Sequence, residues 1–169
     1  MKADGKNTYL QFGDNSAVVR HVKACYEQWR NQPQELVQDL RKQSANDAIS
    51  IDEQCYAIFD YLLNNVEYVV DKLGYQFIKS PARLLADRTG DCKSMTIFIA
   101  SCLHCLGIAH TIRFVNFDGG KQYTHVYPIA YDETGKTIIL DAVERDGTGN
   151  PIYNYARPFA KNKDIYYKN

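Results

Sequence analysis

The sequence predicts an α+β fold in which helices come first and an antiparallel sheet follows. Up to Gly107, apolar residues recur mainly at intervals of three and four, which is the helical period. After Gly107 the pattern changes to alternating or β-branched runs separated by turn residues. A series of helices followed by a series of strands is typical of the α+β class, so we expect helices to pack against an antiparallel sheet.

Three helices are predicted in the first part of the chain. Residues 16–29 carry apolar side chains at helical spacing, and a second helix over 34–43 has a proline just before it. A third amphipathic helix begins at 51 and ends near 64 or 65. A β-leaning run over 66–70 follows it.

A fourth, more apolar helix is predicted in the middle of the chain. The segment 71–89 is interpreted as a loop with a short helical turn at 82–86. The helix over 93–106 is apolar around most of its circumference, which is typical of a helix at the centre of a domain. Gly107 supplies its C-terminal cap.

Three consecutive antiparallel strands are predicted after this helix. They cover 111–117, 123–131 and 136–143, with glycine- and aspartate-containing turns between them. Pro128 cannot donate a hydrogen bond to a neighbouring strand, so a bulge or a locally unpaired edge is expected there. The segment 144–169 is expected to be an irregular tail on the surface.

The chain length predicts a single domain. A chain of 169 residues can form one compact core but not two well-developed ones. We therefore expect one domain over 1–169, with its core at about 50–143. Residues 1–49 form a helical extension and 144–169 the tail.

The composition excludes some partners. Lys plus Arg and Asp plus Glu both number 20, so no net charge attracts nucleic acid or anionic lipid. Residues 1–15 contain no apolar signal segment, and no apolar stretch reaches the roughly 20 residues of a membrane span. Five cysteines form an odd set without the spacing of a disulfide framework, which predicts mainly free thiols. Together these features predict a cytoplasmic protein without nucleic-acid or membrane partners.

One cysteine stands at a position suited to nucleophilic chemistry. Cys92 follows Gly90 and Asp91 and opens the central helix. Unpaired backbone N–H groups and the positive end of the helix dipole are expected to lower the pKa of its thiol. The same N–H groups can stabilise an oxyanion on an attacked carbonyl group. Asp91 is expected to cap this helix.

A histidine and an aspartate on neighbouring strands can supply the base that such a thiol needs. His125 lies within the second strand and Asp141 at the end of the third. A turn at 132–135 places the two residues nearly opposite each other, where side chains on the same face touch. Asp141 would then hold the imidazole ring in one tautomer, oriented toward Cys92.

These residues resemble the motifs of the transglutaminase-like superfamily, which has a papain-like fold. The order, spacing and structural context agree over about 66–143. The motifs are Ser80-Pro81, Leu84-Leu85, Arg88, Gly90 to Ser94, a long apolar helix ending in Leu106-Gly107-Ile108, His125-Val126-Tyr127 and Leu140-Asp141-Ala142.

The resemblance assigns a role to each residue of the motifs. It implies that Cys92 is the nucleophile, His125 the general base and then acid, and Asp141 the residue that orients the histidine. It also implies an oxyanion donor upstream of the nucleophile, for which Gln76 is the candidate. The aromatic residue two positions after the histidine is often Trp in this family, whereas it is Tyr127 here, which leaves the preferred acyl acceptor open.

The resemblance implies an enzyme that transfers acyl groups. Cys92 would attack a peptide or carboxamide carbonyl and form a thioester, which water or an amine resolves, without a metal or cofactor. Hydrolysis, as in a cysteine protease or amidase, is preferred to crosslinking because crosslinking members tend to carry accessory domains. Tyr123, Tyr127 and Arg113 are candidate substrate-binding residues. A noncatalytic peptide-binding or assembly module with the same groove is the alternative.

The remaining cysteines and histidines have simpler interpretations. Cys102, His104 and Cys105 supply only half of a zinc site and lie in the apolar helix, so packing is favoured over metal binding. Cys25 and Cys55 lie on the apolar faces of their helices. His110 is the alternative base if His125 does not act.

Overall fold

A computed structural model of the chain describes residues 7–11, 15–42, 49–72 and 75–168. The helices in these ranges are α1 (Asn15–Trp29), α2 (Gln34–Lys42), α3 (Ile51–Asn65), α4 (Pro81–Asp87) and α5 (Cys92–Cys105). The strands are β1 (Asn7–Gln11), β2 (Glu67–Tyr68), β3 (Tyr75–Lys79), β4 (Thr89–Gly90), β5 (His110–Asn116), β6 (His125–Tyr131), β7 (Thr137–Ile139) and β8 (Lys161–Tyr167). The predicted α+β class is confirmed.

Three of the described helices, α3, α4 and α5, begin after a polar residue whose side chain caps the first turn. At the start of α3, Ser50 and Glu53 form a reciprocal capping box. The Ser80 side chain caps α4 and the Asp91 side chain caps α5. Such a cap contributes about 1 kcal/mol relative to alanine. The helices predicted over 16–29, 34–43, 51–65 and 93–106 are confirmed to within about a residue, and residue 43 lies outside the described residues.

The main sheet is antiparallel, with strand order β7-β6-β5-β8. The predicted meander corresponds to β5, β6 and β7, and β8 adds a fourth strand along the free side of β5. The prediction that 144–169 is irregular is therefore wrong for Lys161–Tyr167. This strand alternates between exposed residues and the half-buried Ile165 and Tyr167, and its lysines suit an exposed sheet edge.

Two smaller sheets occupy the region interpreted as a loop. β3 pairs antiparallel with β1, and β2 pairs in parallel with β4. The loop prediction for 71–89 is wrong because β3 and β4 lie within it. β2 lies within the β-leaning run predicted over 66–70. The other three strands are only two to five residues long, and β1 and β3 pair across more than sixty residues, so no local pattern marks them.

Pro128 limits the length of β7 without creating a bulge. The register between β6 and β5 is continuous, with Pro128 opposite Ile112. On the other side its carbonyl oxygen accepts a hydrogen bond from Leu140 N at 3.0 Å, and the β6–β7 ladder covers only Ile129 to Tyr131. Because proline has no N–H to continue this ladder, the chain leaves the strand after Ile139. Asp141 therefore lies just beyond β7 rather than within it.

Helix α5 lies at the centre of the core. Every residue from Lys93 to Leu103 is buried. Met95, Phe98 and Cys102 belong to a cluster with α3, whereas Ile97 and Ala100 belong to a second cluster with α1 and the sheet. This confirms the central position that its apolar circumference predicts, and it fixes the first residue of the helix, Cys92, relative to the sheet. None of the described helices has the length and apolar character needed to cross a bilayer.

Candidate active site

Cys92 is held at the start of α5 by a closely packed turn. A Cβ atom on Gly90 would lie 2.3 Å from Leu84 Cδ1 and 3.3 Å from Ser94 Cβ. Only glycine fits this space, which explains the residue two positions before the cysteine. The Asp91 carboxylate then accepts a hydrogen bond from Ser94 N at 3.0 Å and starts the helix, as the sequence predicts.

An open cavity of about 340 Å³ lies beside the Cys92 thiol. His125, Gln76 and Tyr123 line this cavity together with Cys92. Cys92 is the first residue of α5 and His125 the first residue of β6. Gln76 lies in β3, and Tyr123 lies in the turn before β6. The fold thus brings the candidate nucleophile, base, oxyanion donor and one of the three candidate substrate-binding residues to one space that solvent can enter.

The His125 imidazole is oriented by a buried carboxylate. His125 Nε2 lies 2.7 Å from Asp141 Oδ2, and Asp141 is only 2% exposed. The second carboxylate oxygen accepts a hydrogen bond from Val143 N at 3.1 Å. Because an ionised carboxylate only accepts hydrogen bonds, Nε2 carries the proton and Nδ1 is the nitrogen that can accept one.

Aromatic rings hold the imidazole from the side. The His125 ring stacks on Phe117 with ring centres 5.8 Å apart, and the Tyr127 ring lies at the same distance. The Arg157 guanidinium covers Phe117 at 3.6 Å from the ring centre. The ring of His125 is therefore restrained by packing as well as by Asp141.

The Cys92 thiol has a raised pKa in this geometry. The pKa is raised to about 12: burial raises it most, the Asp141 and Asp71 carboxylates also raise it, and the backbone N–H groups of Val126 and Lys93 lower it. The expectation that the helix start lowers this pKa below its usual value is therefore wrong. Desolvation and negative charge outweigh the N–H groups. The thiol is protonated at rest, so it needs a base to become a nucleophile.

A buried ion network adjoins the thiol. Lys93 Nζ lies 3.0 Å from Asp71 Oδ2 and also contacts Asp91 Oδ2. Sequence reasoning missed Asp71 and Lys93 as site residues. The signal that could have found them is a lysine within an apolar helix, because a buried ammonium group requires carboxylate partners.

Two candidate substrate-binding residues lie elsewhere. Neither Tyr127 nor Arg113 lines the Cys92 cavity. The Arg113 guanidinium instead donates hydrogen bonds to both Asp164 oxygens, at 2.8 and 2.7 Å, on the face of the sheet opposite α5. Tyr127 is buried there and contacts the His125 ring. Both residues share a face of the sheet with His125, but only His125, at the first position of β6, reaches the Cys92 cavity. Their role as substrate-binding residues stays a prediction.

Three of the other cysteines and His110 are buried, whereas Cys105 is half-buried. All five cysteines are unpaired, as predicted, and Cys25, Cys55 and Cys102 are buried. Cys105 donates a hydrogen bond to the Arg30 carbonyl group. His110 is fully buried, with Nδ1 on the Ile108 carbonyl oxygen and Nε2 accepting from the Tyr26 hydroxyl group. His110 therefore has no access to substrate. Within the described ranges, no three Cys, His, Asp or Glu residues group as metal ligands.

Comparisons with known proteins agree with this architecture. The family model of the transglutaminase-like superfamily matches residues 34–142. A candidate cysteine protease from Cytophaga hutchinsonii has a TM-score of 0.52 and 18% identity over 83% of this chain and 47% of its own. A candidate protease from Parabacteroides distasonis has a TM-score of 0.60 and 15% identity over 88% of this chain and 32% of its own.

A third similar structure is shorter. Calcium-bound LapG of Legionella pneumophila has a TM-score of 0.50 and 18% identity over 85% of this chain and 81% of its own. At these identities the likeness concerns the fold alone. The chain spans less than half the length of each of the first two proteins. Among curated proteins, the chain has no match.

Proposed function

The chain belongs to the transglutaminase-like superfamily, and we propose that it is a thiol-dependent acyl-transfer enzyme in which Cys92, His125 and Asp141 act together. The observation that carries the proposal is that Cys92 and His125 line one open cavity, while Asp141 binds the far nitrogen of the imidazole at 2.7 Å. This arrangement matches a nucleophile, a base and an orienting group.

The reaction begins with a neutral thiol. His125 Nδ1 takes the thiol proton as the sulfur attacks a peptide or carboxamide carbonyl carbon, and Asp141 stabilises the imidazolium that forms. The tetrahedral intermediate then collapses, and His125 returns the proton to the departing amine. A Cys92 thioester remains, and water or an amine attacks it with His125 again as the base.

The negative charge on the intermediate needs hydrogen-bond donors. Gln76 lines the cavity on the β3 side, and the amide of its side chain can donate to the oxyanion. The backbone N–H groups at the start of α5 are further candidates, since they have no partners within the helix. Removing one oxyanion donor typically lowers kcat by about 10²- to 10³-fold.

Protein or peptide carbonyl groups are the proposed substrates, and hydrolysis is the proposed outcome. The cavity is open rather than enclosed, and apolar and aromatic residues lie at its edge, including Tyr68, Val70 and Tyr123. Val70 is 71% exposed, so a substrate side chain can pack against it. Hydrolysis requires only that water reach the thioester in this open space.

The test is direct detection of the acyl enzyme. The protein is mixed with p-nitrophenyl acetate, quenched in acid, and digested for mass spectrometry of each cysteine peptide. We expect acetyl on Cys92 alone, and no acetylation of this position in Cys92→Ser at the same pH. Adding glycine ethyl ester then measures how the thioester divides between water and an amine. If Cys92 acquires no acetyl group in the folded wild type, the enzyme proposal fails and a peptide-binding module becomes the better description.

A further inference from the structure

A buried ammonium group lies directly beside the candidate nucleophile. Lys93 is the second residue of α5, and its side chain is 8% exposed. Its Nζ atom contacts the carboxylates of Asp71 and Asp91, which are themselves 18% and 4% exposed. A lysine so buried is stable as a cation only when its partners are held in place, so the geometry of this network is specific.

Each carboxylate of the network also holds a second part of the site. Asp71 Oδ2 accepts a hydrogen bond from Phe77 N at 2.7 Å, and Phe77 follows Gln76 in β3. Asp91 Oδ1 accepts from Ser94 N at 3.0 Å and so sets the start of α5, where Cys92 lies. The ammonium group therefore joins the strand that carries Gln76 to the helix that carries Cys92.

We propose that Lys93 is a positioning residue, which fixes Gln76 relative to Cys92 and offsets the negative charge that faces the thiol. This inference rests on the proposed function and deepens it. Without Lys93, Asp71 and Asp91 would lose the ammonium group that both contact, and the Asp71 charge that acts on the thiol would have no partner in this network. Among the described residues, the other titratable groups at this cavity are Tyr68, Lys72, Tyr123, His125 and, behind the imidazole, Asp141. His21 is close enough to Lys93 for the ammonium charge to lower its pKa.

The proposal separates a charge effect from a positioning effect. In Lys93→Met, the loss of the positive charge leaves the site more negative and disfavours the Cys92 thiolate. Asp71, the hydrogen-bond partner of Phe77 N, is then no longer held by an ammonium group. In Lys93→Met combined with Asp71→Asn, the extra charge is removed, but the strand is still not tied to α5. Alkylation of the thiol should then recover, whereas acylation, which depends on the oxyanion donor, should stay slow.

The experiment measures the rate at which iodoacetamide labels Cys92 at pH 8.5, by peptide mass spectrometry. The matched control is Lys79→Met, which removes another lysine with low exposure. Lys79 Nζ lies 2.9 Å from Asp87 and donates to the Thr89 carbonyl group, but the residue does not line the Cys92 cavity. Circular dichroism during heating confirms that every variant is folded at the labelling temperature.

We expect Lys93→Met to label Cys92 about tenfold more slowly than Lys79→Met, which corresponds to one pKa unit. The double variant should label within about twofold of the wild type, while its acetylation by p-nitrophenyl acetate stays at least about fivefold slower. Equal rates in Lys93→Met and Lys79→Met would overturn the proposal. So would a double variant that is labelled as slowly as Lys93→Met, or acetylated as fast as the wild type.

A second variant covers the case in which Lys93→Met does not fold. Asp71→Asn keeps an acceptor for Phe77 N but removes a charge that raises the pKa of Cys92. We expect it to label Cys92 several-fold faster than the wild type, and an unchanged rate would contradict the charge effect. Since alkylation requires no turnover, a wild type that is labelled as expected but never acylated would defeat the proposed function and leave the charge effect standing.

Discussion

Helix α5 carries a cysteine toward each of its ends, but only one end has the surroundings of an active site. At the N-terminal end, Cys92 and His125 line an open cavity, and Asp141 orients the ring. Near the C-terminal end, Cys102 is fully buried, and His110 is enclosed by Tyr26 and the Ile108 carbonyl group. One helix thus contains a candidate nucleophile and a purely structural thiol, ten residues apart.

The resting pKa does not distinguish the two thiols. Burial raises the pKa of Cys92 to about 12, and it raises that of Cys102 well above the usual value. Access and a proton acceptor make the difference, because a protonated thiol reacts when a base removes its proton during attack. The half-buried cysteine at the start of the helix is therefore recognised as a nucleophile by the cavity and the histidine beside it.

Replacing each of the two cysteines separately with alanine should give the largest difference in activity between two variants. Cys92→Ala should lower acyl transfer by at least about 10⁴-fold because it removes the attacking atom. Cys102→Ala should keep activity within about twofold and lower the free energy of unfolding by about 1 kcal/mol, since it leaves a small cavity in the core. Kinetics and urea unfolding measure both effects. Full activity in Cys92→Ala would refute the assignment of the nucleophile.

Loss of the orienting carboxylate should have the next largest effect. Asp141→Asn keeps the shape of the side chain, but its amide group favours the tautomer with the proton on Nδ1, which cannot accept the thiol proton. We expect kcat to fall roughly 10²- to 10⁴-fold with little change in thermal stability. Steady-state kinetics alongside thermal unfolding provide the check. A fall in activity matched by lost folding would indicate a structural role instead.

Removal of the candidate oxyanion donor should have a smaller effect on kcat. Gln76→Ala should lower kcat roughly 10²- to 10³-fold and change KM little, because an oxyanion exists only after attack. Gln122→Ala is the matched control, since Gln122 also borders the cavity but is exposed at its rim. Equal kinetics for the two variants would remove Gln76 from the mechanism.

Protonation of the buried His110 should change the free energy of unfolding rather than the chemistry at Cys92. Burial lowers the pKa of His110 to about 4 from its usual 6.5, so the folded state binds fewer protons than the unfolded state between these values. The free energy of unfolding should therefore fall as the pH drops from 6.5 to 4, by up to about 1.4 kcal/mol per pH unit from this group. His21, whose pKa is also lowered by burial, adds a fall in the same direction.

The contribution of His110 is isolated by a variant. His110→Asn should flatten the dependence of unfolding on pH over this range, measured by urea denaturation at each pH, while the contribution of His21 remains. An unchanged slope would mean that His110 is not held neutral by its surroundings.

The sequence predicted elements whose signal is local. The periodicity of 16–29, 34–43 and 51–65 marks the helices, and the apolar circumference of 93–106 marks the central helix. β1, β3 and β8 were missed because each pairs with a strand more than forty residues away along the chain, and pairing over such separations leaves no local pattern.

The candidate site was predictable to a similar degree. The turn before Cys92 and the alternation around His125 pointed to residues that share one cavity. The direction of the Cys92 pKa shift was wrong because desolvation and the carboxylates of Asp71 and Asp141 arise only from the folded structure. That Arg113 and Tyr127 lie outside the cavity was not predicted, because the sequence alone does not tell how far along β5 and β6 the cavity extends.

The most direct test of the central claim is the pH dependence of iodoacetamide labelling, measured for each cysteine in the wild type and in His125→Ala. If His125 takes the thiol proton, wild-type Cys92 is labelled faster than Cys102 at pH 7.5, and its rate depends only weakly on pH. In His125→Ala the reaction needs free thiolate from a group with a pKa of about 12. The labelling rate at pH 7.5 is therefore lower than in the wild type, and it increases about tenfold for each pH unit up to pH 10. If the wild type and His125→Ala give the same rate and the same slope, His125 is not the base for Cys92, and the account is wrong.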